Sequence, residues 1–124
     1  EIYKIAVEMW NQRKRLNYAE LPSNLIKHNN TKSFTNRFQV VDGEGLSHTV
    51  VAHIAMDGHY YIHPDIRQNR SISVREAARI QSFPDDYFFE GSRTAVLRQI
   101  GNAVPVLMAE GIAKQIKTML LKTE

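Results

Sequence analysis

An α+β chain is expected, with a small antiparallel sheet flanked by helices, and three observations carry the expectation. β-branched and aromatic runs bounded by turn residues occupy residues 37–63. Apolar residues recur at helical spacing before and after that stretch. The 124 residues are 43% hydrophobic and 23% charged, enough for one domain or part of one and outside the range of wholesale disorder.

In chain order, residues 2–15 read as an amphipathic helix, since Ile2, Ala6, Met9, Trp10 and Arg13 recur at three- and four-residue steps. Its basic end, Gln12-Arg13-Lys14-Arg15, suits a helix C-terminus and reads as a solvated face. Residues 17–36 are turn-rich loop, with one short helix near Pro22 and the polar run Lys27-His28-Asn29-Asn30-Thr31-Lys32. Three strands follow, at Phe38–Val41, Thr49–Ile54 and Tyr60–Ile62. Asp42-Gly43-Glu44-Gly45 forms the first turn and Asp57-Gly58 a hairpin turn. A helix over 73–82 opens on a capping box, Ser73 with Glu76, and stops at Pro84. Helices over 93–100 and 105–121 complete the chain. They are broken at Gly101-Asn102, with Pro105 in the first helical position. The last one carries the stripe Ile112, Ile116, Met119 and Leu120, which needs a partner surface.

Composition narrows the chemistry. Sixteen basic and thirteen acidic residues give a net charge of +3, spread thinly, which permits an anionic partner without requiring one. The absence of cysteine removes disulfides, thiolate zinc sites and a cysteine nucleophile from this stretch. His48, His53, His59 and His63 cluster in sequence, but strand alternation scatters them over two faces, and no metal site is expected. Asp85-Asp86 reads as a turn rather than an acid–base pair, and Phe83 as core rather than a stacking platform. No phosphate-binding glycine motif and no G-x-S-x-G occurs. The chain opens at Glu1, which suggests a trimmed piece. No basic-then-apolar leader and no membrane-length apolar run is present.

The stretch Arg70-Ser71-Ile72-Ser73-Val74-Arg75-Glu76-Ala77-Ala78-Arg79-Ile80-Gln81-Ser82-Phe83-Pro84-Asp85-Asp86-Tyr87 resembles the ninth sequence block of the DNA (cytosine-5)-methyltransferases. Gln99-Ile100-Gly101-Asn102-Ala103-Val104-Pro105 is similar to their tenth block. Phe89-Glu90-Gly91-Ser92 fits between them, and the order and spacing agree over residues 63–116. Residues 1–62 fall where the family keeps its variable target recognition region, and Ser47-His48-Thr49-Val50-Val51-Ala52 is similar to the stretch that ends it.

This resemblance implies a split chain. Residues 1–90 would be the small recognition domain with the ninth-block helix. Residues 91–124 would return to the catalytic domain, an S-adenosylmethionine-dependent α/β methyltransferase fold. The parent would transfer a methyl group to C5 of cytosine in double-stranded DNA. Its catalytic cysteine would lie in a missing N-terminal catalytic part, so this piece alone would be inactive and holds no catalytic residue. Asn102 and Ala103 would approach S-adenosylmethionine, with a helix start near Asn102 offering N–H groups. Arg37, beside Asn36, and Ser47, His48, Thr49 and His53 are the candidate DNA contacts, by base edge or phosphate. Arg70, Arg75, Glu76 and Arg79 would be structural. Alternatives are a catalytically dead nucleic-acid-binding paralogue and a tRNA-directed relative. A cytoplasmic, nucleoid-associated bacterial protein is expected, of restriction–modification or orphan type. The isolated piece would dimerise through its last helix, or fold that helix non-natively onto the small domain.

Overall fold

Four α-helices form among the described residues, which are 1–27 and 37–122 of a computed structural model: α1 (Ile2–Asn11), α2 (Val74–Ile80), α3 (Arg93–Asn102) and α4 (Val106–Leu121). Short 3-10 turns occupy Tyr18–Glu20, Ala52–Ala55 and Gly58–Tyr60. Asn36 and most of the polar run 27–32 lie outside the described residues. The chain divides into two compact units, one of Glu1–Thr49 with Met56–Ile72, the other of Val50–Ala55 with Ser73–Glu124.

In the first unit, α1 buries Ala6 and Val7 against Leu16, Tyr18, Phe38, Val40 and Ile62. The helix is shorter than its apolar spacing suggests. Gln12 and Lys14 both turn their N–H groups back to the Met9 carbonyl, and Arg13 sits at φ 58°. That left-handed residue ends the helix, so the basic run lies beyond its last turn. Near Pro22 the expected helix is replaced by the 3-10 turn before it and one turn after it, closed by Leu25 N–H on the Pro22 carbonyl at 2.8 Å.

The expected antiparallel sheet is not formed among the described residues. Two isolated bridges take its place: Val40 with Ile62, parallel, and Ile62 with Ser71, antiparallel. Ile62 N–H donates to Gln39 O, Val41 N–H to Ile62 O, and Ile72 N–H to Tyr61 O. No ladder extends from this crossing because each segment is interrupted within a few residues. Asp42 accepts from the N–H groups of Glu44 and Gly45 in a tight turn. Pro64 lacks a donor after His63. Ser73 is already the cap of α2. Asp57, read as a hairpin turn, instead caps the 3-10 turn Gly58–Tyr60 by accepting from His59 N–H.

The run Thr49–Ile54 also departs from strand. Val50 and Ile54 are buried and Val51 is exposed, a four-residue spacing rather than alternation. Its second half is the 3-10 turn that packs on α3 in the second unit.

That second unit follows its local signals closely. The capping box is present, with Glu76 N–H on Ser73 Oγ and Ser73 N–H on Glu76 Oε2. Ser92 caps α3 in the same way, by accepting from Ala95 N–H. Two boundaries differ from expectation. Helix α3 runs through Gly101 and Asn102 rather than breaking there, and Pro105 is the cap of α4 rather than its first helical residue. Gly101 is tolerated inside the helix because of close packing. A Cβ there would sit 2.5 Å from the backbone of Val51 and Ala52.

Candidate functional site

Arg37 is half-buried and is not a solvated arginine. Its Nε donates to Asp57 Oδ2 at 3.1 Å. Asp57 also faces His59, and the His59 Nδ1 pairs with the Tyr3 hydroxyl at 2.7 Å. Burial raises the Tyr3 pKa and the Asp57 charge adds to this. The phenol therefore stays protonated, and its hydroxyl pairs with His59 Nδ1. Arg37, Asp57, His59 and Tyr3 thus form one polar network, beside a cavity of about 460 Å³ lined by Tyr3, Arg37 and His59. Sequence reasoning found only the arginine; the other three are scattered along the chain and carry no motif.

Ser47, His48 and Thr49 lie together in the same unit. The His48 Nε2 is 2.6 Å from the Tyr60 carbonyl, and its ring stacks on Tyr61 at 5.0 Å. A carbonyl can only accept, so Nε2 carries the proton and Nδ1 is the acceptor. Burial lowers the His48 pKa from 6.5, outweighing the bond to the Tyr60 carbonyl, which raises it; the charge of Arg15 adds to the lowering. The ring is therefore neutral at pH 7. Thr49 is exposed, and its carbonyl accepts from the Tyr61 hydroxyl. Ser47 and His48 line a cavity of about 260 Å³ together with Lys14 and Arg15, the end of the basic run. His53 does not join this group; it is exposed on the 3-10 turn of the second unit.

The four residues read as structural tie local pieces together. Arg70 donates to the Gln68 side chain and the Ser71 carbonyl. Arg75 donates to the carbonyls of Pro84 and Tyr87, with its guanidinium 5.8 Å from the Phe89 ring centre. Glu76 completes the capping box. Arg79 clamps Asp85 with two bonds, at 2.7 and 2.9 Å, which holds the carboxyl below its usual pKa. Asp85 is thereby a turn-closing residue. Phe83 is half-buried, in ring contact with Tyr87 and Phe89.

Asn102 and Ala103 stand at the end of a helix, not at a start, which reverses the expected electrostatics. The last turn of α3 presents carbonyls and the negative end of its dipole. That end suits an ammonium, a sulfonium or an amino group rather than a carboxylate. Asn102 is exposed, and its amide offers both a donor and an acceptor. Both main-chain groups of Ala103 are engaged, its N–H with Ile100 O and its carbonyl with the Gln81 side chain. S-adenosylmethionine carries cationic and amino groups, so this donor and acceptor set fits it.

Among the described residues no group of three His, Asp or Glu side chains is placed to hold a metal ion. No helix among them is long and apolar enough to cross a membrane.

The family model described as C-5 cytosine-specific DNA methylase matches residues 2–118. The type II methyltransferase M.Bpa9945I of Bacillus paralicheniformis is 56% identical over 120 residues, covering 97% of this chain and 27% of that protein. A putative type II methyltransferase, M.OihORF3336P of Oceanobacillus iheyensis, is 44% identical over 100 residues, 81% of this chain and 21% of its own. M.AgeI of Thalassovita gelatinovora, also a type II methyltransferase, is 44% identical over 99 residues, 80% of this chain and 23% of its own. The chain thus spans about a quarter of the length of these relatives. No solved structure matches it.

Proposed function

Because the chain belongs to the C-5 cytosine-specific DNA methylase family, we propose that it is the C-terminal portion of an enzyme methylating C5 of cytosine in a specific double-stranded DNA sequence. The observation that carries this reading is the family match from residue 2 to residue 118, with no break between the two units. Residues 1–90 supply target recognition, and residues 91–124 return to the α/β catalytic domain. This division follows function rather than compactness, since α2 packs with α3.

S-adenosylmethionine supplies the methyl group. Asn102 contacts its polar groups, and Ala103 packs beside it, at the carbonyl end of α3. Arg37, Ser47, His48, Thr49 and His53 are the DNA contacts. His48, neutral with its Nδ1 as acceptor, suits an amino group on a base edge better than a phosphate. Thr49, exposed, suits a phosphate. Arg70, Arg75, Glu76 and Arg79 hold the fold that presents them. The nucleophilic cysteine and its block come from the missing N-terminal part, and the protein works in the bacterial cytoplasm on nucleoid DNA.

Helix α4 buries no residue, and Leu107, Ile112, Ile116, Met119 and Leu120 are all exposed. In the parent this face packs on the remainder of the chain; in the isolated piece it pairs two copies. A monomer by light scattering would exclude the second statement.

The test is transfer of tritium from labelled S-adenosylmethionine. The full-length parent is expected to label cytosine-containing DNA, and the 124-residue chain to label nothing. Label in tRNA alone, or in no nucleic acid, overturns the reading. Label from the short chain overturns its assignment of the nucleophile.

A further inference from the structure

We propose that Gln81 and Ser82, at the end of α2, are positioning residues for the cofactor edge at Asn102 and Ala103; this rests on the reading that places those two residues at S-adenosylmethionine. Gln81 is the one buried polar side chain among the described residues. Its Nε2 spends both hydrogens on the α3 terminus, donating to Ile100 O and to Ala103 O, each at 3.0 Å. The Gln81 carbonyl accepts from Val106 N–H at 3.1 Å, and Ser82 Oγ accepts from Leu107 N–H at 3.0 Å. Two consecutive residues therefore hold the α3–α4 junction at four points, on both sides of Ala103.

Ser82 carries a second, independent sign. It stands at φ 56°, where the chain leaves α2. Ser82 N–H bonds to Arg79 O and Phe83 N–H to Ala78 O, the paired pattern that usually places glycine at this position. A serine there is strained. What it supplies beyond glycine is the hydroxyl, which donates to Gln81 O at 2.7 Å while accepting from Leu107 N–H. Local comfort is given up for a bond to the first turn of α4.

The opposite side of α3 is fixed as well, since Gly101 meets the backbone of Val51 and Ala52. The turn bearing Asn102 thus has little freedom, and α2 sets where its exposed amide stands. Gln81 touches neither DNA nor reacting atoms in this scheme and acts only through the junction.

The test uses the full-length parent, with S-adenosylhomocysteine binding read by titration calorimetry well below the melting temperature. Gln81→Met keeps side-chain length and removes both donated bonds. It is expected to weaken S-adenosylhomocysteine about tenfold, to raise the KM for S-adenosylmethionine in step, and to leave kcat and DNA affinity near wild type. Ser82→Gly is expected to melt no lower than wild type, because the strain is relieved, yet to bind S-adenosylhomocysteine more weakly. That pairing is one a merely structural role would not produce. If Gln81→Met fails to fold, Ser82→Gly decides alone. Unchanged cofactor affinity in the folded variants, while Asn102→Ala weakens it, overturns the positioning role and leaves the site. Unchanged affinity in Asn102→Ala as well overturns the site itself. Equal losses of DNA and cofactor binding also overturn the positioning role.

Discussion

In the first unit the bonds that hold Tyr61–His63 in place run to Gln39 and Val41 on one side and to Arg70 and Ile72 on the other. In the second, Ser73 bonds to Glu76, Ser92 to Ala95 and Arg79 to Asp85, partners three to six residues apart. The first unit is therefore specified by contacts that the chain must close from a distance, while the second adds strong local caps to its own distant contacts, such as Gln81 with Ile100 and Ala103. The difference teaches where order can be read from sequence and where each unit is open to damage. It also provides separate reporters. Trp10, the only tryptophan, lies in the first unit, while α2, α3 and α4 hold most of the helical residues.

The sharpest break of the comparison is Ile62→Ala. Ile62 is fully buried and belongs to both bridges of the first unit. Truncation removes apolar contact and leaves a cavity, a loss of roughly 2–5 kcal/mol. Urea unfolding followed by Trp10 fluorescence should move to lower denaturant, while the helical circular dichroism of the second unit moves less. Equal shifts in both signals would mean that the units unfold as one.

The same contrast explains what was legible. The capping box, the Ser92–Arg93 start of α3, the end of α2 before Pro84 and the exposed stripe of α4 all depend on residues within one or two turns of each other. The sheet did not survive because β-branched runs state a propensity, and pairing depends on partners elsewhere in the chain. Thr49–Ile54 had the composition of a strand but buried Val50 and Ile54 on a turn against α3. At the candidate site, the blocks brought out Asn102 and Ala103, and position brought out Arg37 and Ser47–Thr49. The partners that fix them were not legible. Asp57 and Tyr3 reach the Arg37 network only through the fold, and the role of Gln81 appears only once its burial is known. Mistaking the end of α3 for a helix start had a plainer cause. Glycine followed by asparagine normally stops a helix, and here close backbone packing claims the glycine instead.

That packing gives the next largest effect. Gly101→Ala places a methyl carbon 2.5 Å from backbone atoms of Val51 and Ala52, which cannot rotate away as a side chain would. A loss of about 3 kcal/mol is expected, seen in the helical signal of the second unit. Gly111→Ala is the matched control within α4, where nothing lies within 4 Å of the added carbon. There the helix should gain roughly 0.5–1 kcal/mol. Opposite signs from one substitution at two helical glycines would confirm that contact, not propensity, governs Gly101. The same sign at both would place the constraint elsewhere.

The smallest effect returns to the first unit and to pH. Burial holds the pKa of His48 below its ordinary value of 6.5, so the unfolded chain takes up the proton more readily than the folded one. Stability from this group is thus complete above pH 6.5 and falls as pH drops through that value toward the folded pKa. His48→Gln keeps a donor for the Tyr60 carbonyl and cannot titrate. Melting curves read at Trp10 between pH 8 and pH 5 should fall more steeply for the natural chain than for the variant, and the difference should open below pH 6.5. Parallel curves would mean that the ring gains its proton without leaving Tyr60. In that case its acceptor nitrogen would become a donor only as pH falls through about 6.5, and its proposed partner on the DNA at neutral pH would remain an amino group.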